Sequence, residues 1–311
     1  MRTNKPLMAM MLSMVAWGVG NPFSDYSIDG LSPYATFFAE MVTGFILFFA
    51  IAIFSPAIRN SIRHVPWKLA IPFGLIQPGL AYLCGNIGFQ YGSVTTGAML
   101  MSSEVIFLAL GGAVILREKL SLSSILALAV GITGAVIVGI AGAANNSETA
   151  GLHVDILGFS VPAGLVGAMA FLGVGLSGAI YGLFTRRLSP DINVMSLTLG
   201  QVATAVVMSS VTLLITKTPV PNPIENGLYF WAAVMGGLLG TTLPFFLFNY
   251  AAPHLTTKQT AITLNIIPVV AIFSGAILGR GLPIGMQYLG ITLVLISLLA
   301  LETKAGEAVA T

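Results

Sequence analysis

Long apolar runs separated by short polar gaps fill the chain from end to end. Ten can be drawn, over residues 7–23, 34–54, 68–91, 95–116, 122–142, 157–184, 192–216, 228–251, 256–278 and 284–301, and they are called segments 1 to 10 below. Each is close to the ~20 residues that a helix needs to cross a ~30 Å hydrocarbon core. In lipid a spanning backbone has to satisfy its own polar groups, and an apolar run of this length does so as a helix. The pattern predicts an all-α integral membrane protein with ten transmembrane helices. Segment 1, which follows Arg2 and Lys5, mimics a secretory leader. It lacks a small-residue cleavage site after Trp17 and leads into nine more segments, so it reads as a retained first helix.

Charge adds an orientation. The chain is 56% hydrophobic and 8% charged, and its net charge of +2 matters less than where the charges sit. Counting from a cytoplasmic N-terminus, Arg2, Lys5, Arg59, Arg63, Lys68, Arg117, Lys119, Arg186, Arg187, Lys258 and Lys304 fall inside, and only Lys217 and Arg280 fall outside. Cytoplasmic loops are the ones enriched in Lys and Arg, so both termini are expected in the cytoplasm. The outward loops lean acidic, with Asp25, Asp29, Glu148, Asp155 and Glu225. No basic patch suits nucleic acid. Cys84 is the single cysteine, which excludes an intrachain disulfide and a Cys-based metal site. The longest polar insertion, 143–156, is too short to bury a core of its own.

That insertion divides the chain almost in half, and the halves echo each other. Gly18-Val19-Gly20 recurs as Gly173-Val174-Gly175, with Met14 matching Met169. Leu31-Ser32-Pro33 before segment 2 recurs as Leu188-Ser189-Pro190 before segment 7. Gly74, Leu75, Leu80 and Asn86 match Gly237, Leu238, Leu243 and Asn249; Thr95-Thr96 matches Thr256-Thr257; Gly131-Ile132-Thr133 matches Gly290-Ile291-Thr292. The offsets are 155, 157, 163, 161 and 159. Five segments per half is an odd number, so the second half enters from the opposite face. Inverted repeats of this kind are a recurrent transporter design, with substrate bound near the midplane between the halves. The expected organisation is a first five-helix repeat over 1–142, an extracytoplasmic linker over 143–156 and a second repeat over 157–311.

Several of these residues carry a family resemblance: Leu31-Ser32-Pro33, the turn from Tyr91 to Thr96, Arg117-Glu118-Lys119-Leu120-Ser121 after segment 4, and the Gly-rich segment 5. Over essentially its whole length the chain resembles the EamA-type branch of the drug/metabolite transporter superfamily. Within it, the chain is most similar to YddG-type aromatic amino-acid exporters. The resemblance implies export of amino acids or related metabolites from a bacterial inner membrane. Two departures stand out. Leu278-Gly279-Arg280-Gly281-Leu282 replaces the charged motif in the second half, and Glu40 stands where such proteins often carry an Arg.

Candidate chemistry lies inside the segments. Gly20, Pro22, Pro78, Gly79, Pro244 and Pro268 are hinge candidates, because proline frees a carbonyl one turn earlier and broken helices are tolerated where they line a wet cavity. Proline is also common in membrane helices with no such role. Pro78, Tyr82 and Asn86 lie four apart and share a face, expected to look into the bundle because a hydroxyl and an amide facing lipid are costly. Trp17 sits deep in segment 1, away from the interfacial belt. Phe245 and Asn249 take the equivalent places in segment 8. Glu40 and Glu104 are the two acidic residues well inside segments, with Asn265 at the place equivalent to Glu104. An intramembrane carboxylate suits a proton relay, substrate contact or a structural hydrogen bond; Glu40, nearer the segment end, reads as structural. The expected cavity residues are Trp17, Asn21, Pro78, Tyr82, Asn86, Met101, Glu104, Phe171, Phe245, Asn249 and Asn265, on segments 1, 3, 4, 6, 8 and 9. An aromatic wall with a few amides and hydroxyls suits an amino acid with an apolar side chain, with protons as a candidate coupling ion. Core packing is the competing reading for each aromatic.

Other classes fare worse. Gly175-Leu176-Ser177-Gly178 matches the G-x-S-G of intramembrane serine proteases, but His64, His153 and His254 all fall in loops or at segment ends, leaving no base. No metal-ligand spacing, channel filter or nucleotide loop is present. No cofactor is expected, and the partners are a small-molecule substrate and the lipid bilayer. A multidrug or other metabolite exporter of the same fold is the alternative. Small-residue pairs such as Gly178/Gly182 and Gly236/Gly240 serve close packing within a monomer or a weak dimer.

Overall fold

The computed structural model describes residues 5–54, 59, 64–115, 122–145, 151–156, 158–185, 188, 191–255, 260, 263–280, 282–283 and 285–305. The motif 117–121, Arg63, Arg186, Arg187, Ser189, Pro190, Thr256, Thr257 and Lys258 lie outside the described residues.

The chain is built of helices: α1 Lys5–Ile28, α2 Pro33–Phe54, α3 Trp67–Gly74, α4 Ala81–Tyr91, α5 Val94–Met101, α6 Ser103–Ile115 and α7 Leu122–Asn145 in the first half. A short antiparallel hairpin follows, β1 His153–Ile156 and β2 Phe159–Pro162, with His153 opposite Pro162 and Ile156 opposite Phe159. The second half holds α8 Ala163–Thr185, α9 Val194–Thr216, α10 Pro223–Gly237, α11 Leu243–Ala251, α12 Ile266–Ile277 and α13 Met286–Ala305. Among the described residues, six helical stretches are long and apolar enough to cross a membrane, and shorter apolar helices accompany them at Ile266–Ile277 and Met286–Ser297. Their outer faces carry large apolar side chains, such as Leu126, Val136 and Ile140 on α7 and Val207, Leu214 and Ile215 on α9. Such a surface fits hydrocarbon rather than water. The chain is a multi-pass membrane protein.

The hairpin corrects the sequence reading of segment 6, which was expected to be helical from 157. Val154, Ile156, Phe159 and Val161 favour extended backbone, and Gly158 supplies the left-handed turn residue at φ +85°. Pro162 closes β2, and the helix begins at Ala163.

Both third-position helices of the halves break at matched places. A wide π-type turn over Leu75–Leu80 separates α3 from α4, and another over Leu238–Thr242 separates α10 from α11. Leu75 and Leu238 are 163 residues apart, the offset already read from Gly74 and Gly237. Gln77, inside the first turn, is extended (φ −136°, ψ 120°) and precedes a cis peptide to Pro78. By contrast, α1 runs unbroken through Gly20 and Pro22, against the expectation of a break there. Pro22 cannot bond the Gly18 carbonyl, but Ser274 of α12 donates to it at 3.3 Å. A neighbouring helix thus repairs the ladder. The carbonyl one turn before Pro244 belongs to Gly240, and the Tyr82 hydroxyl donates to it.

Helix neighbours pair across the midpoint of the chain. α1 packs on α10, α11 and α12, as α8 packs on α4 and α6. α2 packs on α9 and α10, as α9 packs on α2 and α3, and α7 packs on α13. This set of neighbours maps onto itself when the two halves are exchanged.

Candidate functional site

A cavity of about 110 Å³ lies between the halves. On that measure it holds on the order of ten waters, the scale of an amino acid. Its wall draws on segments 1, 3, 4, 6, 8 and 9, the six expected. Trp17, Asn21 and Ser24 come from α1; Gln77, Tyr82, Asn86 and Phe89 from the first π turn and α4; Met101, Ser102 and Glu104 from the α5–α6 junction. Val174, Gly178 and Tyr181 come from α8, Phe245 and Phe248 from α11, and Asn265 and Pro268 from the start of α12.

Part of the wall is aromatic. The Trp17 ring meets Phe245 edge-on at 5.0 Å between centroids and lies 5.7 Å from Phe248. Tyr181 meets Phe245 edge-on at 5.9 Å, and Tyr82 is 6.4 Å from the same ring. Aromatic pairs favour such edge-to-face contacts, which hold the rings in place. The other part of the wall is polar. Helix 94–115 is interrupted at Ser102, and α6 restarts at Ser103 with Glu104 in its first turn. A carboxylate there is favourably placed against the positive end of the helix dipole. Asn265 stands immediately before α12, in the corresponding position of the second half. Gly178 of α8 gives Glu104 its room: a Cβ there would lie 2.5 Å from Glu104 Oε2.

Three of the expected cavity residues stand elsewhere. Phe171 is fully buried, its ring laid against Gly88, Gly92 and Gly97, with Phe89 at 5.2 Å. Those three glycines leave a notch that a benzyl ring fills, so Phe171 is core. Pro78 is buried off the wall, because the wide turn breaks the four-residue register that would have aligned it with Tyr82 and Asn86. Asn249 is also buried behind the wall, facing α8 and α9. Trp17, Asn21, Tyr82, Asn86, Met101, Glu104, Phe245 and Asn265 do line the cavity. Of the hinge candidates, Pro268 lies in the wall, whereas Gly20 serves close packing, since a Cβ on it would meet Gly240 Cα at 3.0 Å.

Behind the wall stand two hydrogen-bonded clusters. In the first half, fully buried Glu40 of α2 accepts from the Ser24 hydroxyl through Oε1 and from Asn86 Nδ2, at 2.8 Å, through Oε2. In the second, Asn249 Nδ2 donates to Gln201 Oε1 and Thr198 Oγ1, both at 2.9 Å. The Tyr181 hydroxyl donates to Asn249 Oδ1 at 2.5 Å and accepts from Gln201 Nε2 at 3.2 Å. Sequence reasoning gave Glu40 a structural part and did not single out Ser24, Tyr181 or Gln201. The signal was available: Glu40 and Gln201 are 161 residues apart, and Ser24 and Tyr181 are 157 apart, within the range of the other repeat offsets.

At the end of α1, Arg280 binds Asp25 through Nε and Asp29 through both terminal nitrogens, at 2.5 and 3.0 Å. Its guanidinium also lies 5.8 Å from the Tyr26 ring centre. Burial alone would lower the Arg280 pKa, but the hydrogen bonds and charges of Asp29 and Asp25 outweigh it and raise it. This clamp ties α1 to the loop after α12. Among the described residues no group of three or more His, Cys, Asp or Glu could hold a metal ion.

The likeness to known proteins spans the whole chain. It is 22% identical over 275 residues to an "Uncharacterized transporter" of Archaeoglobus fulgidus, covering 88% of this chain and 90% of that one. One solved crystal structure superposes with a TM-score of 0.66 at 14% identity, over 96% of this chain and 98% of the other, a likeness of fold. The sequence pattern of the EamA-like transporter family matches twice, over residues 4–140 and 165–303. With one match in each half, enclosing both sides of the cavity, the chain belongs to the EamA-like transporter family.

Proposed function

We propose that this transporter exports amino acids with aromatic or other apolar side chains, or closely related small metabolites, across a bacterial inner membrane. The observation that carries this reading is the two-part cavity wall. Trp17, Phe245 and Phe248 offer a ring-lined end for an apolar side chain. Glu104 offers a carboxylate to an ammonium group, and Asn21, Asn86 and Asn265 bring amides for a carboxylate. A zwitterion with an apolar tail matches that division.

The transport cycle is alternating access between two inverted five-helix repeats, 1–142 and 157–311, joined by an extracytoplasmic linker over 143–156. Both termini are cytoplasmic. The matched π turns, the exchange symmetry of helix neighbours and the placing of the cavity between the halves support this arrangement. Reporter fusions should place the 143–156 loop outside and the 186–190 loop inside; both on one side would overturn it.

A second reading is a multidrug exporter for organic cations, favoured by the Glu104 carboxylate in an aromatic cavity. Purified protein in liposomes, offered labelled amino acids and cationic dyes in parallel, separates the two. Uptake of tryptophan, phenylalanine or leucine, competed by the other apolar amino acids and not by dyes, supports the first. Dye transport without amino-acid transport overturns it. Glu104→Gln should weaken amino-acid transport about tenfold or more, because the ammonium loses its charged partner.

A further inference from the structure

Glu40 is the acidic group that the cavity itself does not use. It is fully buried on α2, and the two side chains that bond its carboxyl, Ser24 and Asn86, both line the cavity. It also lies on the seam between the halves. A Cβ on Gly236 of α10 would sit 2.9 Å from Glu40 Oε1, and one on Gly237 would sit 2.5 Å from the Glu40 carbonyl oxygen. The chain leaves both positions without side chains, so the carboxyl rests directly on the α10 backbone.

Among the described residues, the groups around it offer no cation. From α1 come Ser24 and, next to it, Asp25, which Arg280 engages. From α4 come Asn86 and Tyr82, whose phenol interacts electrostatically with Glu40 while donating to the Gly240 carbonyl. The turn 238–242 brings Thr241, a hydroxyl, against the Glu40 backbone. α10 presents Gly236 and Gly237, and α9, which packs on another side of α2, contains no titratable residue. A carboxylate in such a place gains no ion-pair energy, and its two hydrogen bonds offset only part of the cost of burying the charge.

Its hydrogen bonds suit both protonation states. With Glu40 ionised, the Ser24 hydroxyl donates to Oε1. When a proton binds Oε1, the new O–H donates to Ser24 Oγ, and the Ser24 hydrogen turns to the Gly20 carbonyl, 3.4 Å away. One O–H bond forms on Glu40 as one breaks in the hydronium ion that delivers the proton and leaves as water, and Asn86 keeps its bond to Oε2. Gly20 is the residue at which α1 crosses Gly240 of the other half.

We propose that Glu40 is the proton-binding site of the transport cycle, taking up or releasing one proton as the halves move, with Ser24 relaying its state to the cavity and to the α1 crossing. The proposal rests on the transport reading above and names its coupling ion. Gln201 at the equivalent place of the other half is an uncharged copy of the site, so this pair of positions carries one proton per cycle.

Two measurements test it on the full-length protein. The first needs no substrate: infrared difference spectra between acid and alkaline pH. Wild type should show a protonated-carboxyl band that is lost in Glu40→Gln, retained in Glu104→Gln, and shifted in Ser24→Ala. A band retained in Glu40→Gln overturns the proposal; should that variant fail to fold, an unshifted band in Ser24→Ala does the same. The second is transport in liposomes. In Glu40→Gln, accumulation driven by a pH gradient should fall about tenfold, while exchange without a gradient persists. Undiminished pH-driven accumulation overturns the proposal. If wild type transports none of the amino acids or dyes offered, the transport reading fails, and the infrared result still decides whether Glu40 binds the proton.

Discussion

The two clusters behind the cavity are built on one plan and differ in one chemical respect. Each takes a hydroxyl from the first helix of its half, a carboxyl or carboxamide from the second and an asparagine from the third: Ser24, Glu40 and Asn86 against Tyr181, Gln201 and Asn249. Each lies against a glycine of the opposite half, Gly237 for Glu40 and Gly74 for Gln201. The first cluster contains a group that can change charge; the second is neutral throughout. The second also has an extra partner, Thr198. Symmetry has thus preserved the geometry while the chemistry has diverged, as expected if one copy holds the halves together and the other responds to protons.

The comparison breaks most visibly under Glu40→Leu. Ser24 and Asn86 lose their common partner, and a stability loss of about 2–5 kcal/mol is expected. It would appear as a lower melting temperature in detergent. Gln201→Leu should cost less, about 1–3 kcal/mol, because Asn249 keeps Thr198 and Tyr181. If Gln201→Leu proves the more damaging of the two, Ser24 and Asn86 do not depend on Glu40 as their common partner.

The glycine seats give a matched pair. A methyl at Gly237 would meet the Glu40 carbonyl at 2.5 Å, and one at Gly74 would meet the Gln201 carbonyl at 2.6 Å. Both Gly237→Ala and Gly74→Ala should therefore destabilise by about 1–3 kcal/mol, and by similar amounts. Thermal unfolding of the two variants side by side measures whether the halves are seated alike.

The smallest expected effects separate wall from core. Phe245→Leu should alter the relative transport of tryptophan and leucine several-fold while costing about 1 kcal/mol of stability. Phe171→Leu should leave that selectivity unchanged and cost about as much stability, since its ring fills the notch of three glycines and touches no cavity. A selectivity change in Phe171→Leu would return that residue to the wall.

Much of this was legible in the sequence. Apolar length located the helices, and ordered matches between the halves paired Gly74 with Gly237, the residues just before the two π turns. The chemistry of Trp17, Tyr82 and Glu104 led to the cavity. What escaped depended on which helix stands beside which. Glu40 looked structural because its partners lie on α1 and α4, and no spacing along α2 reveals them. Pro22 looked like a break because the repair comes from Ser274, 256 positions beyond the Gly18 carbonyl it satisfies. Phe171 looked like lining because an aromatic on a small-residue helix says nothing of the notch opposite.

The unbroken course of α1 has a mechanical consequence. A helix of 24 residues spans about 36 Å, and it meets Gly240 at Gly20, about 12 Å from its Ile28 end and about 22 Å from its Lys5 end. The contact of two glycine backbones is a fulcrum placed off centre. The Arg280 clamp grips the short arm, and the bond from Ser13 to the Pro244 carbonyl, 2.8 Å, lies along the long one. Rocking α1 about that point moves its ends in opposite senses, and each ångström given up at the clamp becomes about two ångströms at the far end. In the alternating-access cycle proposed above, the rod would work as a lever with roughly twofold gain, and distances measured from its two ends to the second half should change with opposite sign.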